Sequence, residues 1–153
     1  AREFERKIKE HSDLPISIGS QATKAALDAY GDIENIAFLT PYFPAANEQV
    51  RKYFEESGFT IVKDECLKCP KWTAIAQVPP KRLWEAMNRL NSEDVDALVQ
   101  VGTNLPMARL AAEFEIEFKK PVVAINTATY WHALRANGIS DKIDGFGSLF
   151  SRF

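Results

Sequence analysis

Asp96–Asn104 reads DALVQVGTN, and Leu105-Pro106 and an apolar-striped segment follow it. Ala97-Leu98-Val99-Gln100-Val101 is a short, mostly apolar run, the pattern of a strand buried on both faces. Gly102-Thr103-Asn104 then reads as a turn. Pro106 suits the first turn of a helix, where a missing N–H costs nothing. Strand, small polar loop and helix start together present free backbone N–H groups above a sheet edge. In open α/β sheets ligands bind there, anions most readily. On spacing alone, an ordinary tight turn between strand and helix is the favoured reading of Gly-Thr-Asn.

The rest of the chain sorts around this strand. Upstream, Ile36–Leu39 reads as a buried strand ending at Thr40-Pro41-Tyr42, and a helix is expected from Pro44 to Ser57, burying Val50, Tyr53 and Phe54. Phe59–Val62 is the next expected strand, residues 64–73 a loop, and Pro80–Leu90 a helix with Leu83, Trp84, Met87 and Leu90 as its apolar stripe. Downstream, a helix is expected over Pro106–Phe118, a strand over Pro121–Ile125, a polar strand end at Asn126-Thr127, and a helix over Ala128–Ala136. Before all of these come a charged surface helix over Ala1–His11, a short strand at Leu14–Ile18, and a helix over Gln21–Tyr30 with Ser20 as N-cap and Gly31 as stop. The aromatic, glycine-rich Asp144–Phe150 tail reads as a packed strap. Strands alternating with helices imply an α/β fold with a mainly parallel sheet.

Of the 153 residues 46% are hydrophobic, enough for a real core, and the net charge is −2. No Lys/Arg block suggests nucleic acid or an anionic membrane, and no run approaches the length of a transmembrane helix. No signal peptide opens the sequence, so the cytoplasm is the default expectation. Cys66 and Cys69 form a single C-x-x-C with no second pair or neighbouring histidines to complete a zinc set, so they read as loop thiols. His132, beside Trp131, reads as a packing histidine, and His11 as inert.

Three expected strand ends remain: Thr40-Pro41-Tyr42, Gly102-Thr103-Asn104 and Asn126-Thr127. They offer hydroxyls, amides and backbone N–H groups, with no carboxylate, lysine or arginine. That donor set suits a carboxylate or an enolate-like oxyanion. No G-x-x-x-x-G-K or G-x-G-x-x-G phosphate loop is present. Asn47, on the first turn of its helix, reads equally as a site residue or as a partner for the helix start.

With those residues laid out, the chain resembles the aspartate/glutamate racemase superfamily, on the branch holding arylmalonate decarboxylase and maleate cis–trans isomerase. The resemblance rests on Ala37–Tyr42 with Asn47-Glu48, Ala97–Leu105, Lys120–Val123, Tyr130–Arg135 and Gly145–Phe150. It implies a pseudo-symmetric sandwich of two α/β lobes with mainly parallel four-stranded sheets and the site in the cleft. Residues 31–126 would be the second lobe. Residues 1–30, with 127–153 as a candidate addition, would be a remnant of an incomplete first lobe.

Family members use cysteine at one or both strand-end positions, without cofactor or metal. Here the second such position falls on Gly102, and the first is expected upstream of Ala1. The candidate site is therefore Gly102 and Tyr42 at the catalytic positions, with Thr40, Asn47, Thr103 and Asn104 joining them in binding substrate. The leading expectation is a cofactor-independent lyase that decarboxylates a malonate-type or dicarboxylic acid, an upstream cysteine protonating one face of the intermediate. Alternatives are a maleate cis–trans isomerase, an Asp/Glu-type racemase, and an inactive carboxylate-binding module. The expected partner is a small mono- or dicarboxylate, with neither nucleic acid nor membrane; a homo-oligomer stays open.

Overall fold

β1 (Asn35–Thr40) is one of the two inner strands of the sheet, and from Ile36 onward every residue of it is buried. The computed structural model describes residues 2–153. In chain order it forms α1 (Arg2–Lys9), α2 (Gly19–Tyr30), β1, α3 (Pro44–Glu56), β2 (Thr60–Cys66), α4 (Trp72–Ala76) and α5 (Pro80–Leu90). There follow β3 (Ala97–Gln100), α6 (Ala108–Phe118), β4 (Val122–Ala124), α7 (Ile125–Ala136) and α8 (Ser148–Arg152).

The strands form one four-stranded sheet in the order β2-β1-β3-β4. Every pairing is parallel, and Leu39 of β1 stands level with Gln100 of β3. The chain leaves β1 towards β2 and returns on the other side to β3, so the order of strand addition reverses between β1 and β3 while all strands stay parallel. Their C-terminal ends carry Thr40-Pro41-Tyr42 and Gly102-Thr103-Asn104. The crevice outside such a reversal is where open α/β sheets place ligands.

Side chains alternate between two cores. Ala37, Leu39, Leu98, Val122 and Ala124 pack against Leu83, Met87 and Leu90 of α5 and Ala111 and Phe114 of α6. Ile36, Phe38, Ala97, Val99 and Val123 face the other way, against α2, Phe54 of α3, Ala128 and Trp131 of α7, and Leu149 and Phe150 of α8. Helices on both faces explain why β1 and β3 carry near-continuous apolar runs. Fully burying a side chain such as Phe38 contributes about 1.5–3 kcal/mol.

Several local expectations are corrected. Leu14–Ile18 forms no strand, with a bend at Leu14 and extended backbone at Ile18. α2 starts at Gly19 with Ile18 as its cap residue, so Ser20 lies inside the first turn; Gly31, at φ +91°, ends the helix as expected. β2 runs on to Cys66, and α4 occupies Trp72–Ala76, so the expected loop over residues 64–73 shrinks to Leu67–Lys71. α6 begins at Ala108, two residues beyond Pro106. α7 begins at Ile125, which puts Asn126 and Thr127 in its first turn rather than in a strand-end loop. α1 spans Arg2–Lys9, and Ala1 lies outside the described residues. Among those residues, no helix is long and apolar enough to cross a membrane.

Candidate functional site

Thr40 ends β1 with no exposed surface, and its hydroxyl must be satisfied inside the protein. It donates to Asn47 Oδ1 at 2.7 Å and accepts the Tyr42 N–H at 3.2 Å. Pro44 at the start of α3 fixes where that helix begins, which brings Asn47, one turn in, back over Thr40. Asn47 Nδ2 donates to Asp64 Oδ2, and Arg51 Nη2 donates to Asp64 Oδ1. Burial works against the Arg51 cation, but the hydrogen bond and charge of Asp64 outweigh it and raise its pKa.

This chain of bonds has a fixed direction. A carboxylate only accepts, so Asp64 takes the Asn47 N–H, Asn47 must turn its oxygen to Thr40, and Thr40 must donate. Tyr42, the next residue but one, is thereby held by its backbone. Sequence reasoning missed Asp64 and Arg51. The usable signal was Arg51 four residues after Asn47, on the same helix face. Asp64 gave no local signal, because it lies in a part of β2 that reads as loop.

The C-x-x-C stretch pins the same turn. Leu67 N–H donates to Thr40 O at 2.8 Å, Lys68 N–H to Tyr42 O at 3.0 Å, and Cys69 N–H to Pro41 O at 3.0 Å. Both cysteines are free thiols, Cys66 ending β2 and Cys69 buried just after it. Their stretch contributes backbone to the site's support. His132 Nδ1 meets Ser17 Oγ at 3.0 Å, which ties α7 to the segment before α2.

Across the crevice, Gly102 is buried with φ +110°, a conformation open to glycine and strained for other residues. A Cβ added there would stand 2.6 Å from Pro41 Cδ, 2.7 Å from Pro41 Cγ and 3.6 Å from Tyr42 Oη. The two strand ends are therefore in direct contact, and the Tyr42 hydroxyl reaches the Gly102 position. Burial raises the Tyr42 pKa, which keeps the phenol a donor across the neutral range.

Gly102 O accepts from Gln100 Nε2 at 2.8 Å and from the Leu105 N–H at 3.1 Å, closing a turn over Thr103 and Asn104. Asn126 Nδ2 donates to Thr103 O at 2.9 Å. Thr103 and Asn104 are exposed. Among the described residues, no acceptor meets the N–H groups of Gly102, Thr103 or Asn104.

Thr40, Tyr42, Asn47 and Gly102 thus gather at one place, with Thr103 and Asn104 on its outer lip. Tyr42 also lines a groove of about 330 Å³ with Pro41, Ala46 and Cys69, rimmed by the exposed rings of Phe43 and Trp72. A separate apolar cavity of about 220 Å³ lies under Val101 and Ile125, against Val50 and Tyr53 of α3.

A parallel sheet whose reversal point is lined by hydroxyl, amide and backbone N–H donors defines an α/β protein suited to a small polar ligand at its strand ends. The chain belongs to the arylmalonate decarboxylase family, whose model matches residues 1–150. Members of this family are enzymes.

Maleate isomerase of Nocardia farcinica is 31% identical over 119 residues, covering 77% of this chain and 47% of the relative. Maleate isomerase of Alcaligenes faecalis is 22% identical over 150 residues, covering 97% of this chain and 59% of the relative. Among solved structures, a cysteine-to-serine variant of the Nocardia farcinica maleate cis-trans isomerase, with a covalently bound succinylcysteine intermediate, superposes with TM-score 0.90 at 28% identity. That match covers 97% of this chain and 61% of the other. A double variant of arylmalonate decarboxylase in a liganded form gives TM-score 0.87 at 26% identity, over 95% of this chain and 63% of that one. The chain spans about half the length of the curated relatives it matches.

Proposed function

We propose that the protein carrying this chain is a cofactor-independent lyase acting on a small malonate-type or dicarboxylic acid. In this reading Tyr42, Gly102, Thr103 and Asn104 form one wall of the substrate site, and Thr40 and Asn47, expected to bind substrate, are instead buried behind it and hold Tyr42 in place. The backbone N–H groups and the Tyr42 hydroxyl hold a carboxylate, and stabilise the enolate-like oxyanion left when CO2 departs. A cysteine outside this chain supplies the proton.

The observation that carries the reading is Gly102. Glycine has no acid to give, and Pro41 fills the place a side chain would take. One acid suffices for decarboxylation followed by protonation, whereas racemisation by two bases needs one on each face. The names of the curated relatives favour a second reading, maleate cis–trans isomerisation. In that reaction a single nucleophilic cysteine adds to the double bond, and the same carboxylate wall holds the adduct.

The test is an assay of the whole protein in D2O against arylmalonates, maleate and amino acids. CO2 release with deuterium fixed on one face of the product supports the lyase. Fumarate from maleate without CO2 release moves the assignment to the isomerase, and no turnover of any of them leaves a carboxylate-binding module.

A further inference from the structure

The turn over Thr103 and Asn104 is gripped by two side-chain amides that stand outside the crevice. Gln100 reaches it from below. Level with Leu39 and Ala124, it faces the α5/α6 core, is wholly buried, and donates Nε2–H to Gly102 O at 2.8 Å. Its Oε1 is buried with no hydrogen-bond partner among the described residues. An apolar side chain would fill that core position without a stranded acceptor, so stability alone does not account for a glutamine. Asn126 reaches the turn from the β4 side, donating Nδ2–H to Thr103 O at 2.9 Å.

The C=O and N–H of a trans peptide point in opposite directions. Pulling Gly102 O down towards Gln100 therefore turns the Thr103 N–H up, out of the core. Pulling Thr103 O sideways towards Asn126 turns the Asn104 N–H the other way, to the β1 side, where Tyr42 stands. Both N–H groups lack an acceptor among the described residues.

We propose that Gln100 and Asn126 are positioning residues that aim the Thr103 and Asn104 N–H groups at one carboxylate as a two-donor clamp. The proposal rests on the carboxylate reading above and adds what orients the donors. Asn126, in the first turn of α7, acts through the turn and not on the ligand. Gln100 and Asn126 lie on different elements, and Gln100 shares Gly102 O with the Leu105 N–H that closes the turn.

The test is a titration of the protein with sodium malonate, followed by amide proton and nitrogen NMR shifts. In the unmodified protein the Thr103 and Asn104 amides should shift together and saturate. Gln100→Met keeps the length and removes the donor; Asn126→Leu does the same at an exposed position where folding is not at stake. Each should weaken malonate binding about tenfold, the scale of one hydrogen bond to a charged group, and shrink the shift of its own peptide. Asn126→Gln, which restores a donor, should recover part of the loss.

Variants that bind malonate as tightly as the parent, with the same two shifts, overturn the clamp and leave the carboxylate reading standing. A parent protein whose Thr103 and Asn104 amides do not respond overturns that reading, and the clamp with it. If Gln100→Met fails to fold, Asn126→Leu and its glutamine control decide the matter alone.

Discussion

At Gly102 two penalties meet for any side chain. The φ of +110° is strained for an L-residue, and the added Cβ would overlap the Pro41 ring. The strain costs about 1–3 kcal/mol and the overpacking a similar amount. Gly102→Cys should therefore lower the melting temperature rather than simply add a thiol to the crevice. Pro41→Ala removes the two ring atoms that Cβ would strike, so the double variant should recover the packing part and not the backbone part. A thermodynamic cycle over the four proteins measures this; additive losses would mean that Pro41 yields without cost. The glycine was legible in the sequence as a turn residue at a strand end, but its φ and its neighbour are tertiary facts that no local pattern encodes. Tyr42 offers a second check at this scale. Its raised pKa means that the stability it contributes is complete below about pH 10 and is lost as pH climbs through the folded value. The difference in tyrosinate absorbance between the parent and Tyr42→Phe should show one phenol ionising above that pH. If the whole protein has the proposed activity, Tyr42→Phe should cost about 1–3 kcal/mol in kcat/KM, and an unchanged kcat/KM removes Tyr42 from the site.

Elements were legible where their ends are punctuated by residue type. Pro44 and Pro80 sit at helix starts, and β1 and β3 declare themselves as apolar runs. Elements were misread where distant partners decide. Leu14–Ile18 has strand-like alternation but pairs with no strand of the sheet. β2 continues through Asp64 and Glu65 because α3 and α5 bring Arg51, Asn47 and Arg89 to those carboxylates, so charge inside a strand costs little. The same junction yields a prediction for the α3–β2 pair. Asp64→Ala removes the acceptor for both Asn47 and Arg51, and Asn47 is buried. It should cost about 1–3 kcal/mol, the penalty for a buried donor left unpaired. Arg51→Ala should cost less, because Asp64 then keeps Asn47 and gains water. Urea denaturation of the two variants and the double variant ranks them, and equal losses would show that the ion pair, rather than the Asn47 bond, dominates.

Across the whole molecule, one core draws on both ends of the described chain. Ala22, Ala26 and Leu27 of α2 and Leu149 and Phe150 of α8 share a cluster with Ile36 and Phe38 of β1. Glu115 of α6 ties these ends together: it accepts the Ser148 N–H at 2.6 Å, the Ser148 hydroxyl at 2.7 Å and the Tyr30 hydroxyl at 3.1 Å. α8 is only five residues long, too short to persist on its own, so its order comes from this packing. That makes the tail part of the cooperative unit rather than an appendage. Phe150, 3% exposed and 5.9 Å from the Tyr130 ring centre to centre, is the residue to test. Phe150→Ala should destabilise the whole fold by about 3–5 kcal/mol, the usual cost of emptying a buried aromatic site. Tryptophan fluorescence, to which Trp131 of this core contributes together with Trp72 and Trp84, and far-ultraviolet circular dichroism should shift to the same lower urea midpoint. A tail that frays by itself would instead leave the main circular dichroism transition in place, with fluorescence changing first. That result would detach α8 from the cooperative core and confine the folding unit to the sheet and the helices ahead of it.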